Sequence, residues 1–284
     1  MLKIFDFDGT VALTFEPSPN NVGVTEAYRR SVADVFGNTT FDAYERQGGL
    51  RNRSPSELVI DLFEEVGERL IERAQSWLSA NDQQPLRDKL DWSTGNGLAA
   101  ASEVLVQRKL DLLVAEVGQP MGNGEYWPRC APGFPEFWRR ISNCPNTRTL
   151  ILSSGHTAFI GKFFALHGLS QPDAVFTDDD VRHMPTPVYK PDPRLLYMAL
   201  ARLVSVARYE SSDWQDMVLF GDDPVKDGGL AEAADIPFFQ FVPPDANSAD
   251  DDRAFTDWRQ AIPLLDQRLV SYINSQRTVK GEST

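Results

Sequence analysis

The stretch that decides the fold is Met1-Leu2-Lys3-Ile4-Phe5-Asp6-Phe7-Asp8-Gly9-Thr10. Its apolar residues include several strand formers and stop at Gly9, so the stretch predicts a short strand. A strand this short and apolar is typical of one buried on both faces of a parallel α/β sheet. Asp6 and Asp8 follow at its carboxyl end, where open α/β sheets bind ligands. Two aspartates alone are equally compatible with a solvated strand end, so the rest of the chain has to decide.

The second half of the chain alternates between apolar strand segments and helical stripes. The predicted strands are Thr149–Leu152, Ala174–Thr177, Met217–Phe220 and Phe238–Val242. Strands that alternate with helices predict a parallel sheet with helices on both faces. Because the first strand lacks partners nearby in the sequence, we assign it to this sheet.

The intervening segment has a different character, since residues 15–127 are almost wholly helical in pattern. Within it, Ser54-Pro55-Ser56-Glu57 predicts a capping box that opens a helix. The apolar stripe predicted for that helix is Leu58, Leu62, Val66 and Leu70. We therefore predict a Rossmann-like α/β core of residues 1–14 and 128–272, an inserted helical domain of residues 15–127, and a flexible tail of residues 273–284.

Polar side chains follow three of the predicted strands. Asp6 and Asp8 follow the first, Ser153-Ser154-Gly155 follows the second, and Gly221-Asp222-Asp223, with Asp227 beyond it, follows another. In a parallel sheet these ends lie along one edge, so we expect a crowded anionic pocket there. Lys190, just before a predicted helix, is the candidate cation of this pocket. Carboxylate oxygens in such an arrangement suit Mg²⁺, which keeps open positions for water and phosphate.

Together these motifs resemble those of the haloacid dehalogenase-like (HAD) phosphotransferases, in order and over residues 6 to 227. The resemblance implies an aspartyl-phosphate mechanism with Asp6 as nucleophile and Asp8 as general acid/base. It also implies that Ser153 and Lys190 contact the phosphoryl group. The implied substrate- or phosphate-binding residues are Thr10, Ser154, Gly155 and Arg51. The implied Mg²⁺ ligands are Asp6, Asp8 through its backbone carbonyl, Asp222 and Asp227.

Several of these assignments have alternatives. Ser154 competes with Ser153 for the second motif, and Asp223 competes with Asp227 for the second acidic position of the metal site. The position of the helical insertion resembles the C1 cap of the family, which selects the substrate. Arg51 or Arg53 would then bind a second anionic group of the substrate, or only form surface salt bridges. We interpret His156 as the start of a helix rather than a site residue.

The composition of the chain limits which classes of partner it is expected to bind. The 284 residues carry a net charge of −13 without a basic cluster, which argues against nucleic acid and anionic membranes. Two cysteines provide neither a disulfide framework nor metal-ligand spacing. We expect a soluble cytoplasmic protein, in an oligomeric state that the sequence does not specify.

The predicted function is Mg²⁺-dependent hydrolysis of a small phosphorylated metabolite. A phosphomutase would share every residue named above. A dehalogenase is a weaker alternative, since that chemistry needs neither a metal nor the second acid Asp8. A non-catalytic binding protein on the same scaffold would not need the complete set of acids and the lysine.

Overall fold

The computed structural model describes residues 1–49, 54–93, 95–144, 147–182, 184, 187–207, 217–243 and 253–262. The chain divides into two compact units. The first, here called the core unit, comprises Met1–Thr14 and Pro128–Thr284. The second, here called the helical unit, comprises Phe15–Trp127.

Within its described residues, the core unit contains a six-stranded sheet in which every pairing is parallel. The strands are β1 (Leu2–Phe5), β2 (Arg148–Ser153), β3 (Ala174–Thr177), β4 (Met217–Gly221), β5 (Phe238–Phe241) and β6 (Ala254–Phe255). Their order is β3-β2-β1-β4-β5-β6, so the winding direction reverses between β1 and β4. The predicted Rossmann-like parallel sheet is confirmed. A crevice at the carboxyl ends of β1 and β4 is where such a sheet binds ligands.

Helices cover both faces of the sheet, because β1 directs buried apolar side chains to each of them. The helices of the core unit are α7 (Phe134–Ser142), α8 (Thr157–Leu166), α9 (Asp178–Val181), α10 (Pro193–Ala207) and α11 (Asp227–Ala233). Leu2 and Ile4 pack with α10 and α11 in one buried cluster. Phe5 points to the other face, where its ring contacts Phe137 and Trp138 of α7.

The helical unit contains α1 (Val24–Phe36), α2 (Asn38–Arg46), α3 (Pro55–Val66), α4 (Arg69–Ala80), α5 (Gln84–Arg87) and α6 (Gly97–Glu116). The predicted capping box is present, with the Ser54 hydroxyl accepting from the Glu57 amide. The prediction that Leu70 continues the stripe of that helix is wrong. Gly67 adopts a φ of 69°, a positive value that glycine tolerates and at which α3 ends, and Leu70 belongs to α4.

Candidate active site

The loop after β1 is held by one carbonyl oxygen and one glycine. The amides of Thr10, Val11 and Ala12 all donate to the Phe7 carbonyl at 3.0–3.3 Å. Gly9 has a φ of 80°, which glycine adopts without the steric cost that a side chain would add. The backbone therefore turns sharply directly after Asp6 and Asp8, which keeps both aspartates at the end of the sheet.

Three carboxylates meet at this end of the sheet. One oxygen from each of Asp6, Asp222 and Asp227 lies within 4.8 Å of the others. We call these three residues the carboxylate cluster. Asp6 and Asp227 are only 9% and 2% exposed, so their charges are largely removed from water. Bringing three anions together in a buried place requires nearby cations.

Lys190 supplies one positive charge to the cluster. Its Nζ donates to Asp6 Oδ1 at 2.6 Å and to Asp227 Oδ1 at 2.7 Å, and its side chain is only 4% exposed. Burial would lower the pKa of Lys190, but the charges of Asp227 and Asp6 outweigh it and raise the pKa. Lys190 is therefore a permanent ammonium between two of the three carboxylates.

One ammonium does not balance three carboxylates. Burial raises the pKa of Asp6 well above its ordinary value despite Lys190, and the charges of Asp227 and Asp222 raise it further. Burial and the charge of Asp227 raise the pKa of Asp222 from 3.8 to about 6. Hard oxygen donors with excess negative charge are what a divalent cation such as Mg²⁺ binds. The residues present therefore fit the predicted metal.

Asp227 and its competitor Asp223 have different surroundings in the structure. The Asp223 carboxylate accepts the amides of Val225 and Lys226 at 2.8 and 3.0 Å, whereas Asp227 points into the cluster. A Cβ on Gly221 would lie 2.3 Å from Asp227 Oδ2, so only glycine leaves room for this carboxylate. The Gly-Asp-Asp sequence at the end of β4 thus provides room for the Asp227 carboxylate as well as negative charge.

The second motif lies at the end of β2, next to β1. Ser153 is buried, and its Oγ accepts the Gly155 amide at 2.9 Å, while Ser154 is exposed. Asp8 is not one of the three cluster carboxylates. It lies instead beside this loop, with Oδ2 3.0 Å from the position that a Cβ on Gly155 would take. Gly155 is therefore the residue that lets Asp8 and the Ser153 loop approach each other.

The other residues named in the sequence analysis lie in different places. Thr10 donates from its hydroxyl to Asp222 Oδ1 at 3.0 Å, so it orients an acid of the cluster. Arg51 and Arg53 lie outside the described residues. His156 precedes α8 at its N-cap position, in line with our interpretation, but its ring is buried against Asp179.

Two supporting residues were not predicted. The indole Nε1 of buried Trp258 donates to the Thr10 carbonyl at 3.0 Å, and the Gln240 side chain donates to the Asp222 carbonyl at 3.1 Å. Gln240 was detectable as a polar residue within the apolar segment Phe238–Phe241. No such signal marks Trp258, because the sequence around it is what any buried tryptophan of the core would show.

The chain belongs to the haloacid dehalogenase-like hydrolase family, whose model matches residues 2–235.

Similar solved structures support the fold. CbbY from Rhodobacter sphaeroides in complex with phosphate is 17% identical, with a TM-score of 0.50 over 93% of this chain and 98% of that one. A hydrolase from Pseudomonas syringae is also 17% identical, with a TM-score of 0.50 over 93% and 97% of the two chains. No curated protein matches the sequence. Within the described residues, none of the helices has the length and apolar character that a membrane crossing requires.

Proposed function

We propose that this protein is a Mg²⁺-dependent phosphohydrolase that acts on a small phosphorylated metabolite through a phosphorylated Asp6. The observation that carries the proposal is the position of Lys190, 2.6 Å from Asp6 and 2.7 Å from Asp227. A buried ammonium beside a carboxylate nucleophile orients that carboxylate and balances the charge of an incoming phosphoryl group. The phosphate bound in the Rhodobacter protein is in line with such a ligand.

The metal would be held by Asp6, Asp222 and Asp227, with the Asp8 backbone carbonyl as a further ligand. When bound, Mg²⁺ supplies positive charge that draws the phosphoryl oxygens towards the site and stabilises them during transfer. Thr10 and Gln240 keep Asp222 in place, through its carboxylate and its carbonyl respectively. The Ser153 hydroxyl accepts from Gly155, so its own proton remains available to a phosphoryl oxygen.

The second acid, Asp8, has a role in phosphoryl transfer but none in dehalogenation. In the proposed reaction the Asp6 carboxylate attacks phosphorus while Asp8 donates a proton to the leaving oxygen. Asp8 then removes a proton from the water that hydrolyses the phosphorylated Asp6, which regenerates both carboxyl groups. A halide leaves without a proton, so a dehalogenase has no use for an acid at this position.

The helical unit has a separate role in the proposal. Following the resemblance to C1 caps, we assign substrate selection to residues 15–127, with Arg51 binding a second anionic group of the substrate. Nothing in the proposal requires nucleic acid or a membrane, and a small metabolite in the cytoplasm is the expected substrate. The net charge of −13 means that local cations, rather than the overall field, have to attract that substrate.

Phosphate release from a panel of phosphorylated metabolites and p-nitrophenyl phosphate, with MgCl₂ or with EDTA, tests the proposal. We expect turnover with Mg²⁺, none with EDTA, and none in Asp6→Asn, which cannot attack as a carboxylate. Asp223→Asn is the matched control, because it alters a neighbouring acid outside the carboxylate cluster and should stay active. Full turnover in EDTA, or in Asp6→Asn, would refute the assignment.

A further inference from the structure

Asp179 lies outside the carboxylate cluster, yet it holds the chain directly after the second motif. Strands β2 and β3 are parallel neighbours, with Ser153 in register with Thr177. Asp179 follows Thr177 by two residues, in the first turn of α9. The end of β3 therefore places a carboxylate next to the segment that leaves β2.

Both oxygens of this carboxylate are used. Oδ2 accepts the backbone amide of Thr157 at 2.9 Å, and Oδ1 lies 2.8 Å from Nδ1 of His156. A second contact joins the same segments, because the hydroxyls of Thr157 and Thr177 lie 2.9 Å apart. The two consecutive residues that follow the loop, His156 and Thr157 at the start of α8, are thus tied to the segment at the end of the neighbouring strand.

Asp179 is a charged acceptor in this arrangement. Burial would raise its pKa, but the hydrogen bond and charge of His156, the Thr157 amide and the charge of Arg182 outweigh burial and lower the pKa. An ionised acceptor requires the proton on His156 Nδ1, so the ring donates to Asp179. The His156 ring is itself buried, with its side chain 4% exposed.

The carboxylate also replaces a missing helix cap. His156 occupies the N-cap position of α8 but makes no side-chain capping bond of its own. Asp179 supplies that bond from another element by accepting the Thr157 amide. An anion at a helix N-terminus is favourable because the first amides lack partners within the helix.

From these contacts we propose that Asp179, acting through His156 and the Thr157 amide, is a positioning residue for the phosphate-binding loop Ser153–Gly155. The loop is fixed on its other side by β2 and by the Gly155 amide, which donates to Ser153 Oγ at 2.9 Å. Ser154, between these anchors, is exposed. The inference rests on the proposed function, since it takes this loop as the one that binds the phosphoryl group.

Substitutions that remove the acceptor or the donor test the inference. Asp179→Ala should lower kcat/KM for p-nitrophenyl phosphate about 100-fold, because a displacement of about 1 Å in a positioning group costs roughly that much. Asp179→Asn keeps one oxygen for the Thr157 amide and should lie between Asp179→Ala and the wild type. His156→Asn keeps a donor near the place of Nδ1 and should retain activity, whereas His156→Leu removes the donor and should lose it.

Asp180→Ala is the matched control. Asp180 also belongs to α9, where it accepts the Thr177 amide at 2.9 Å, but it makes no hydrogen bond to residues 153–157. It should therefore weaken α9 while leaving kcat/KM within about threefold of the wild type. All variants are compared at a temperature where circular dichroism shows them folded, and the side-chain NMR signal of His156 reports whether Nδ1 remains the protonated nitrogen.

The outcomes separate this inference from the proposed function. If the wild type hydrolyses phosphate esters and Asp179→Ala keeps its kcat/KM, the positioning role is refuted while the function stands. Equal losses in Asp179→Ala and Asp180→Ala would also refute it, since α9 stability alone would explain them. If the wild type neither hydrolyses esters nor binds inorganic phosphate by isothermal titration calorimetry, both proposals fail. If the wild type binds phosphate without hydrolysing esters, and Asp179→Ala weakens that binding, the positioning role alone is supported.

Discussion

Protons and Mg²⁺ should compete for the carboxylate cluster, and pH tests this directly. The pKa of Asp222 is about 6 in the folded protein and 3.8 in its ordinary state. Because folding raises this pKa, the contribution to stability is complete below pH 3.8 and is lost as pH rises through 6. The linkage relation gives a loss of about 1.4 kcal/mol between pH 5 and pH 7.5 without metal. Asp6, whose pKa is also raised, adds to this loss.

The same protonation should weaken metal binding at low pH. A ligand with a pKa of about 6 is mostly protonated at pH 5 and ionised at pH 7.5. The apparent Kd for Mg²⁺ should therefore be about tenfold higher at pH 5. Groups with lowered pKa values, such as Asp179, change their protonation only at lower pH and leave this window unaffected.

Isothermal titration calorimetry with MgCl₂ at the two pH values measures the ratio, and urea unfolding in EDTA measures the stability change. Asp223→Asn should keep both effects, since the Asp223 carboxylate caps backbone amides outside the cluster. Asp222→Asn should lose most of the pH dependence and bind Mg²⁺ weakly at either pH. A wild-type Kd that is the same at pH 5 and pH 7.5 would show that the cluster does not bind the ion.

Three further substitutions test individual residues. Asp8→Asn should slow phosphoryl transfer from an alkyl phosphate by about 10²–10⁴-fold, but transfer from p-nitrophenyl phosphate far less. Rapid-quench kinetics with p-nitrophenyl phosphate should therefore show a nitrophenol burst, and mass spectrometry should show a phosphorylated protein. Equal slowing of both esters would contradict an acid/base role. Trp258→Phe removes the donor to the buried Thr10 carbonyl and should destabilise the protein by about 1–3 kcal/mol in urea unfolding. Gly221→Ala should displace Asp227 and reduce turnover at least 100-fold, whereas Gly161→Ala in α8, where a Cβ meets no atom within 4 Å, should stay active.

The sequence predicts the sheet well because its strands are short apolar runs that end in polar residues. Ala174–Thr177 is predicted to the residue, and the acids after β1 and β4 are brought together by strand order alone. The break at Gly67 was missed because the apolar stripe continues across it in the sequence. A glycine's φ depends on the packing of both flanking helices, which periodicity does not report.

Other parts of the site depend on distant contacts. Asp179 and Trp258 act on residues 22 and 248 positions away in the sequence. No local pattern marks such partners, since an aspartate in a first helical turn is favourable at any helix N-terminus. Register between strands β2 and β3 is what aligns Asp179 with the loop, and register becomes visible only in three dimensions.

The central place of β1 in the sheet has a consequence for how the protein is made. Both neighbours of Leu2–Phe5 are synthesised much later, at Arg148–Ser153 on one side and Met217–Gly221 on the other. On the ribosome, this apolar strand therefore emerges long before either edge can be paired. Unpaired apolar strands are prone to associate with other chains. A nascent chain that stops before residue 217 would carry β1 with one edge open and the Phe5 ring without its stacking partner Phe220, and we expect it to associate more readily than the finished chain.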